Sequence, residues 1–107
     1  MTLTTPIHLV LTTCPPAAAE TLAESLVADG LAACVNLLPQ LRSIYRWQGN
    51  IQRDDETLLL IKAPASGFTA LREAIIARHP YELPEVLAVN PTDGHAPYLD
   101  WVLSACR

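Results

Sequence analysis

The segment SIYRWQGNIQRDDETLLLIK, residues 43–62, limits what this chain can fold into more than any other. Residues 43–47 carry the β-branched and aromatic side chains that suit an extended, half-buried strand. Gln48, Gly49 and Asn50 form a turn signal, and a second extended run starts at Ile51. The pair predicts one long β-hairpin. The first half of its returning arm, IQRDDE, is polar and projects into solvent or against a neighbour. The second half, LLLIK, is apolar and belongs in the middle of a sheet.

The flanking segments supply the rest of that sheet. IHLVL, residues 7–11, is a short apolar run between Pro6 and TTCPP, and reads as a buried strand. Pro15 and Pro16 suit the first turn of a helix, where missing N–H groups cost nothing. Ala19, Leu22, Ala23, Leu26 and Val27 recur at helical spacing, and Gly30 is free to end the helix with positive φ. Residues 31–38 read as a strand that Pro39 interrupts with a bulge or bend. A second helix runs over residues 66–79, with Ser66 as its cap and Phe68, Leu71, Ile75 and His79 on one stripe. LPEVLAV, residues 83–89, is a fourth strand, 92–97 a loop, and 98–106 a last helix with Tyr98, Trp101 and Ala105 on one side. The order β-α-β-β-α-β plus a helix predicts an α+β, ferredoxin-like split βαβ fold with an antiparallel sheet. Both main helices then cover one face, and the other stays open unless an oligomer covers it.

The composition agrees with a small domain that associates with itself. A length of 107 residues predicts one domain, residues 1–107. Half the residues are apolar and 17% are charged, so apolar surface is left for a partner, and a homo-oligomer is expected. Seven basic against eleven acidic residues, with a single lysine, exclude a basic nucleic-acid footprint. No run approaches the ~20 apolar residues that span a bilayer, so no membrane partner is expected. The N-terminus lacks a positive region and reads as a first strand, not a signal peptide. Cys14, Cys34 and Cys106 are odd in number and form no CxxC, which points to free thiols in a reducing cytoplasm.

The segment HPYELPE, residues 79–85, concentrates the residues that could carry chemistry. His79, Glu82 and Glu85 are divalent-metal ligand types, and copper or zinc suits an imidazole. The same histidine at a helix end also complements the helix dipole and packs beside Ile75. Cys14, just before a helix N-terminus where a thiol pKa falls, is either a soft copper ligand or a small buried side chain. Asn36, Lys62, Glu82 and Glu85 could line one cleft for a small polar ligand, walled by Tyr45, Trp47, Tyr81 and Trp101. Those aromatics serve equally well as packing between subunits. No Gly-rich phosphate loop, GxSxG or nucleophile–base pair occurs, so the chain is not read as an enzyme.

LAACVN, SIYRWQG, LLLIK, HPYELPEV and YLDW occur in this order and at these separations. Together they resemble the CutA divalent-cation tolerance family, from about Ile7 to Trp101. The resemblance implies a homotrimer in which the hairpin, residues 43–56, pairs with neighbouring subunits. It also implies a likeness to the PII signalling proteins in fold and trimer shape. The implied role is cytoplasmic tolerance of copper and other divalent metals, with Cu or Zn held weakly at an intersubunit cleft. A PII-like sensor of small polar ligands, or a trimer whose stability is its function, are the alternatives. Copper ligation in the family is assigned to a cysteine ending the first strand and two adjacent histidines before Pro-Tyr. His79 matches the second histidine, whereas Arg78 and Leu11 occupy the other two positions and Cys14 lies three residues further on. The matched cleft residues are Asn36, Trp47, Lys62, Tyr81, Glu82 and Glu85.

Overall fold

A computed structural model describes residues 5–106. The reading of the N-terminus as free of a signal peptide rests partly on residues 1–4, outside that range. The elements are β1 (Ile7–Cys14), α1 (Pro16–Ala28), β2 (Cys34–Trp47), β3 (Asn50–Pro64), α2 (Phe68–Arg78), β4 (Leu87–Val89) and α3 (Ala96–Ala105). The strands form one sheet in the order β2-β3-β1-β4, every pair antiparallel. The expected α+β, split βαβ arrangement with a terminal helix is therefore the fold. Among the described residues no helix is long and apolar enough to cross a membrane.

Each boundary has a local cause. Pro16 occupies the first turn of α1, and Gly30, at φ 73°, lets Leu31 and Ala32 donate back to the Leu26 carbonyl. Pro39 coincides with a register shift between Leu38 and Leu41, where Gln40 takes φ 61°. Gln48 and Gly49 both have positive φ, at 50° and 83°, between paired Trp47 and Asn50. That is the two-residue turn whose twist matches a hairpin.

Several element boundaries need correction, among them that β2 starts at Cys34 and not at residue 31, and that α3 spans Ala96–Ala105 and not residues 98–106. β1 runs three residues past Leu11, because Thr12, Thr13 and Cys14 continue the ladder with Leu59, Leu58 and Thr57. The fourth strand is only Leu87–Val89, since Pro84 has no N–H and residues 83–86 stay outside the ladder. Ser66 does not cap α2: it lies in the short 3-10 turn Ala65–Gly67, and no side chain caps the helix.

The core lies between α1, α2 and one face of the sheet. Val10 and Cys14 of β1 and Leu59, Ile61 and Ala63 of β3 meet Leu22, Leu26, Leu71 and Ile75 there. Strand alternation turns Leu9, Leu11 and Thr13 to the opposite face, with their partners Lys62, Leu60 and Leu58. Leu38, Leu87 and Val89 share that face by register and are exposed. α3 packs against β1 and β3 with Val102 buried, yet much of this face stays open.

Candidate functional site

One end of the open face carries a cleft of about 780 Å³. Its floor comes from the sheet. Register places Thr13 of β1, Glu56 of β3, and Ser43, Tyr45 and Trp47 of β2 on the same face, and all five line the cleft. The bulge at Pro39 and Gln40 precedes this half of the hairpin, where Leu41 pairs with Glu56. The remaining wall is the loop after α2, through Pro80, Tyr81, Glu82, Leu83 and Glu85.

Proline 80 shapes that loop. The residue before a proline is steered out of the helical region, and His79 accordingly has ψ 140° and ends α2. It is the cap residue, not part of the last helical turn as the stripe suggests. His79 as a whole is 8% exposed, and its ring lies between β1 and the loop. Nε2 is 2.8 Å from the Thr13 carbonyl oxygen, and the Tyr81 N–H donates to Nδ1 at 3.1 Å. The imidazole also stacks at a tilt on the Tyr81 ring, centroids 4.7 Å apart. Tyr81 in turn donates its hydroxyl to Oε2 of Glu56 at 2.7 Å. Glu56 is only 4% exposed. Next to it on the hairpin, the Tyr45 hydroxyl donates to Asp54.

The cleft is acidic. Glu56, Glu82 and Glu85 line it against one guanidinium, that of Arg46. Burial, followed by the hydrogen bond to Glu56, pushes the Tyr81 phenol up from its ordinary value, and the bond to Asp54 does the same to Tyr45. Both hydroxyls are therefore neutral donors at physiological pH. Glu82 and Glu85, which face solvent beside phenols and an indole, suit a cationic guest.

The residues expected to act together are divided by the fold. Tyr45, Trp47, Tyr81, Glu82 and Glu85 converge on the cleft. Asn36 and Lys62 do not line it. They bond to each other on the same face, but Lys62 stands six residues along β3 from Glu56, about 20 Å at the usual rise. Trp101 is exposed on α3 and is not a wall either. Cys14 is fully buried on the opposite face from Thr13, against α1. Burial, then the charge of Glu56, raises its thiol pKa, so the lowering expected from the helix N-terminus does not occur. Cys34 is half-buried and pairs with Lys62 on the open face. Among the described residues no three His, Cys, Asp or Glu side chains converge as a metal cluster. The sequence reading missed Glu56 and Thr13. Period-two alternation from Leu58 and Leu60 would have put Glu56 on the open face, but a polar run reads first as solvated.

The family model for "CutA1 divalent ion tolerance protein" matches residues 8–105. The divalent-cation tolerance protein CutA of Thermus thermophilus is 47% identical over 89% of this chain and 93% of its own length. Protein CutA of Mus musculus is 44% identical over 90% of this chain, which spans only 55% of the mouse protein. Among solved structures, the PII-like protein CutA from Nostoc sp. PCC 7120 superposes with a TM-score of 0.90 at 34% identity, covering 94% of this chain and 97% of its own. The family model and the Thermus thermophilus relative are the ones named for divalent-ion tolerance, and neither name is that of an enzyme. With residues 8–105 matched by the family model and a relative 47% identical over 89% of its length, the chain belongs to the CutA1 divalent ion tolerance family.

Proposed function

We propose that this protein serves the cellular response to divalent metal ions, as a cytoplasmic homotrimer of single-domain protomers without enzymatic activity. It holds Cu or Zn weakly in the acidic cleft, which a neighbouring subunit completes. The observation that carries this reading is the lining of three carboxylates, Glu56, Glu82 and Glu85, against one cation. Glu82 and Glu85 are exposed and free to turn toward an ion. Oxygen donors without a thiolate or a free imidazole make a weak site for these metals, and one in which Cu²⁺ outranks Zn²⁺. His79 joins the ligands only by giving up its bond to Thr13 or to Tyr81. Acid neutralises the carboxylates, so affinity falls as they titrate.

Calorimetric titration of Cu²⁺ and Zn²⁺ into the trimer tests this. The expected result is saturable binding at one site per subunit, tighter for copper, lost in Glu82→Gln/Glu85→Gln. Binding that survives the double substitution places the ion elsewhere and ends the proposal.

A second reading rests on the size of the cleft. About 780 Å³ far exceeds a single ion and falls in the range of small-molecule sites. Tyr45, Trp47 and Tyr81 offer apolar faces there. A PII-like sensor of a small polar ligand would use them. It predicts that some metabolites raise the melting temperature by binding only the folded trimer, and that Tyr81→Ala abolishes the shift. A broad thermal-shift screen without a hit counts against it.

A further inference from the structure

Lys62 is the only lysine of the chain, and it stands half-buried on the apolar open face. Leu9 of β1 and Cys34 of β2 are its cross-strand partners, and Leu60 is its neighbour on the same face of β3. We propose that Lys62 is a specificity residue for assembly: its ammonium, steadied by Asn36, pairs with the Glu85 carboxylate of a second copy of this chain laid over the open face. This deepens the reading of the cleft as one that a neighbouring subunit completes, and rests on it.

The amine lacks an anion within its own protomer. Nζ carries three donors, and among the described residues the neutral side-chain oxygen of Asn36 accepts one of them. Water serves the other two while the face is open. Once another copy covers Leu9, Leu58 and Leu60, that water is excluded, and an ammonium in such a place is costly without a carboxylate beside it. Asp54 and Glu56 share the open face, but they already accept from Tyr45 and Tyr81. The side chains of Glu82 and Glu85 are exposed and form no hydrogen bond or ion pair among the described residues.

Glu85 is the one of these two nearer the sheet, since β4 begins two residues later with exposed Leu87. It does not meet Lys62 within one protomer. β3 and β4 flank β1, which sets them about 10 Å apart. Lys62 stands level with Leu9, whereas β4 enters level with Leu11, and Glu85 lies beyond that, lining the cleft with Thr13. The face thus carries a free carboxylate at one end, an amine at the other and leucines between. Such a face is complementary to a copy of itself. Each subunit supplies one amine and one carboxylate, so a closed ring of head-to-tail contacts satisfies every one. The opposite charges fix which ends meet, a selection that leucine contacts do not make.

Sedimentation velocity and the NMR signal of the single lysine test this. Lys62→Glu and Glu85→Lys should each weaken self-association by at least about 30-fold, because each sets like charges against one another in a covered interface. Lys62→Glu/Glu85→Lys should recover most of that loss, since the pair returns with its signs exchanged. Isotope-labelled lysine gives one ammonium resonance, which should shift in Glu85→Gln and stay in place in Glu82→Gln. No recovery in the exchanged variant, while the wild type is oligomeric, would overturn the proposal. So would recovery of Lys62→Glu by Glu82→Lys instead, or an ammonium signal that ignores Glu85→Gln. Circular dichroism separates dissociation from unfolding, and if Lys62→Glu does not fold, the ammonium signal decides. A wild type that sediments as a monomer refutes the homotrimer itself, and the pair with it.

Discussion

Thr12 is fully buried under α1 and α2, and its Oγ1 has no hydrogen-bond partner among the described residues. A stranded hydroxyl costs free energy that an isosteric methyl does not. Thr12→Val should therefore stabilise the protein by about 1 kcal/mol. Urea unfolding at fixed protein concentration should show a higher midpoint at unchanged slope. Tyr81 makes a pH-dependent contribution. Its phenol is raised above the ordinary 10.0 by burial and by Glu56. For a group raised on folding, the contribution is complete below the unfolded value and is lost as pH climbs toward the folded one. Stability should thus fall above pH 10, and Tyr81→Phe should flatten that alkaline limb. The same variant should be less stable near neutrality, because buried Glu56 loses its donor. Unfolding curves on either side of pH 10 check both signs.

At the scale of elements, the hairpin and the end of α2 carry the site. The turn holds Gln48 in the left-handed region at φ 50°, which a residue other than Gly, Asn or Asp tolerates poorly. Gln48→Asn should raise the melting temperature by an amount equivalent to about 0.5–1 kcal/mol. Gly49→Ala should lower it by about 1 kcal/mol. The added Cβ meets nothing within 4 Å, so that loss is conformational and not steric. α2 is fastened where the loop departs. Arg78 donates to Asp29 at 2.6 Å and to Ser25 at 3.1 Å, both from the last turn of α1 and its cap. The ion pair is half-exposed and contributes little energy.

At the scale of the molecule, the open face decides association. Leu38, Leu87 and Val89 are exposed there beside half-buried Leu9, Leu11, Leu58 and Leu60. So continuous an apolar surface needs a cover. Leu38→Glu/Leu87→Glu should convert the proposed homotrimer to smaller species in sedimentation velocity, and metal affinity should fall with it. A variant that sediments as the wild type would exclude this face as the interface.

Short-range physics made most of the fold legible. Proline at the start of α1, Gly30 after it, the Gln48-Gly49 turn and the Pro39 bulge each act over a few residues, and each lies where the sequence puts it. Helical periodicity likewise placed Leu22, Leu26, Leu71 and Ile75 in the core, whereas Val27, Tyr98 and Trp101, read on the same kind of stripe, are exposed. The family resemblance, carried by five separated segments, was legible as well. What spacing could not reveal was which side chains meet. Two residues on one strand face can be six positions apart, as Glu56 and Lys62 are, so Lys62 and Asn36 left the cleft. Cys14 went to the other face by alternation alone. The state of His79 was decided only by tertiary contact, because the carbonyl and the amide that use its two nitrogens come from a strand and a loop. Sequence sets the types of donor and acceptor available; folding determines which of them remain free for a ligand.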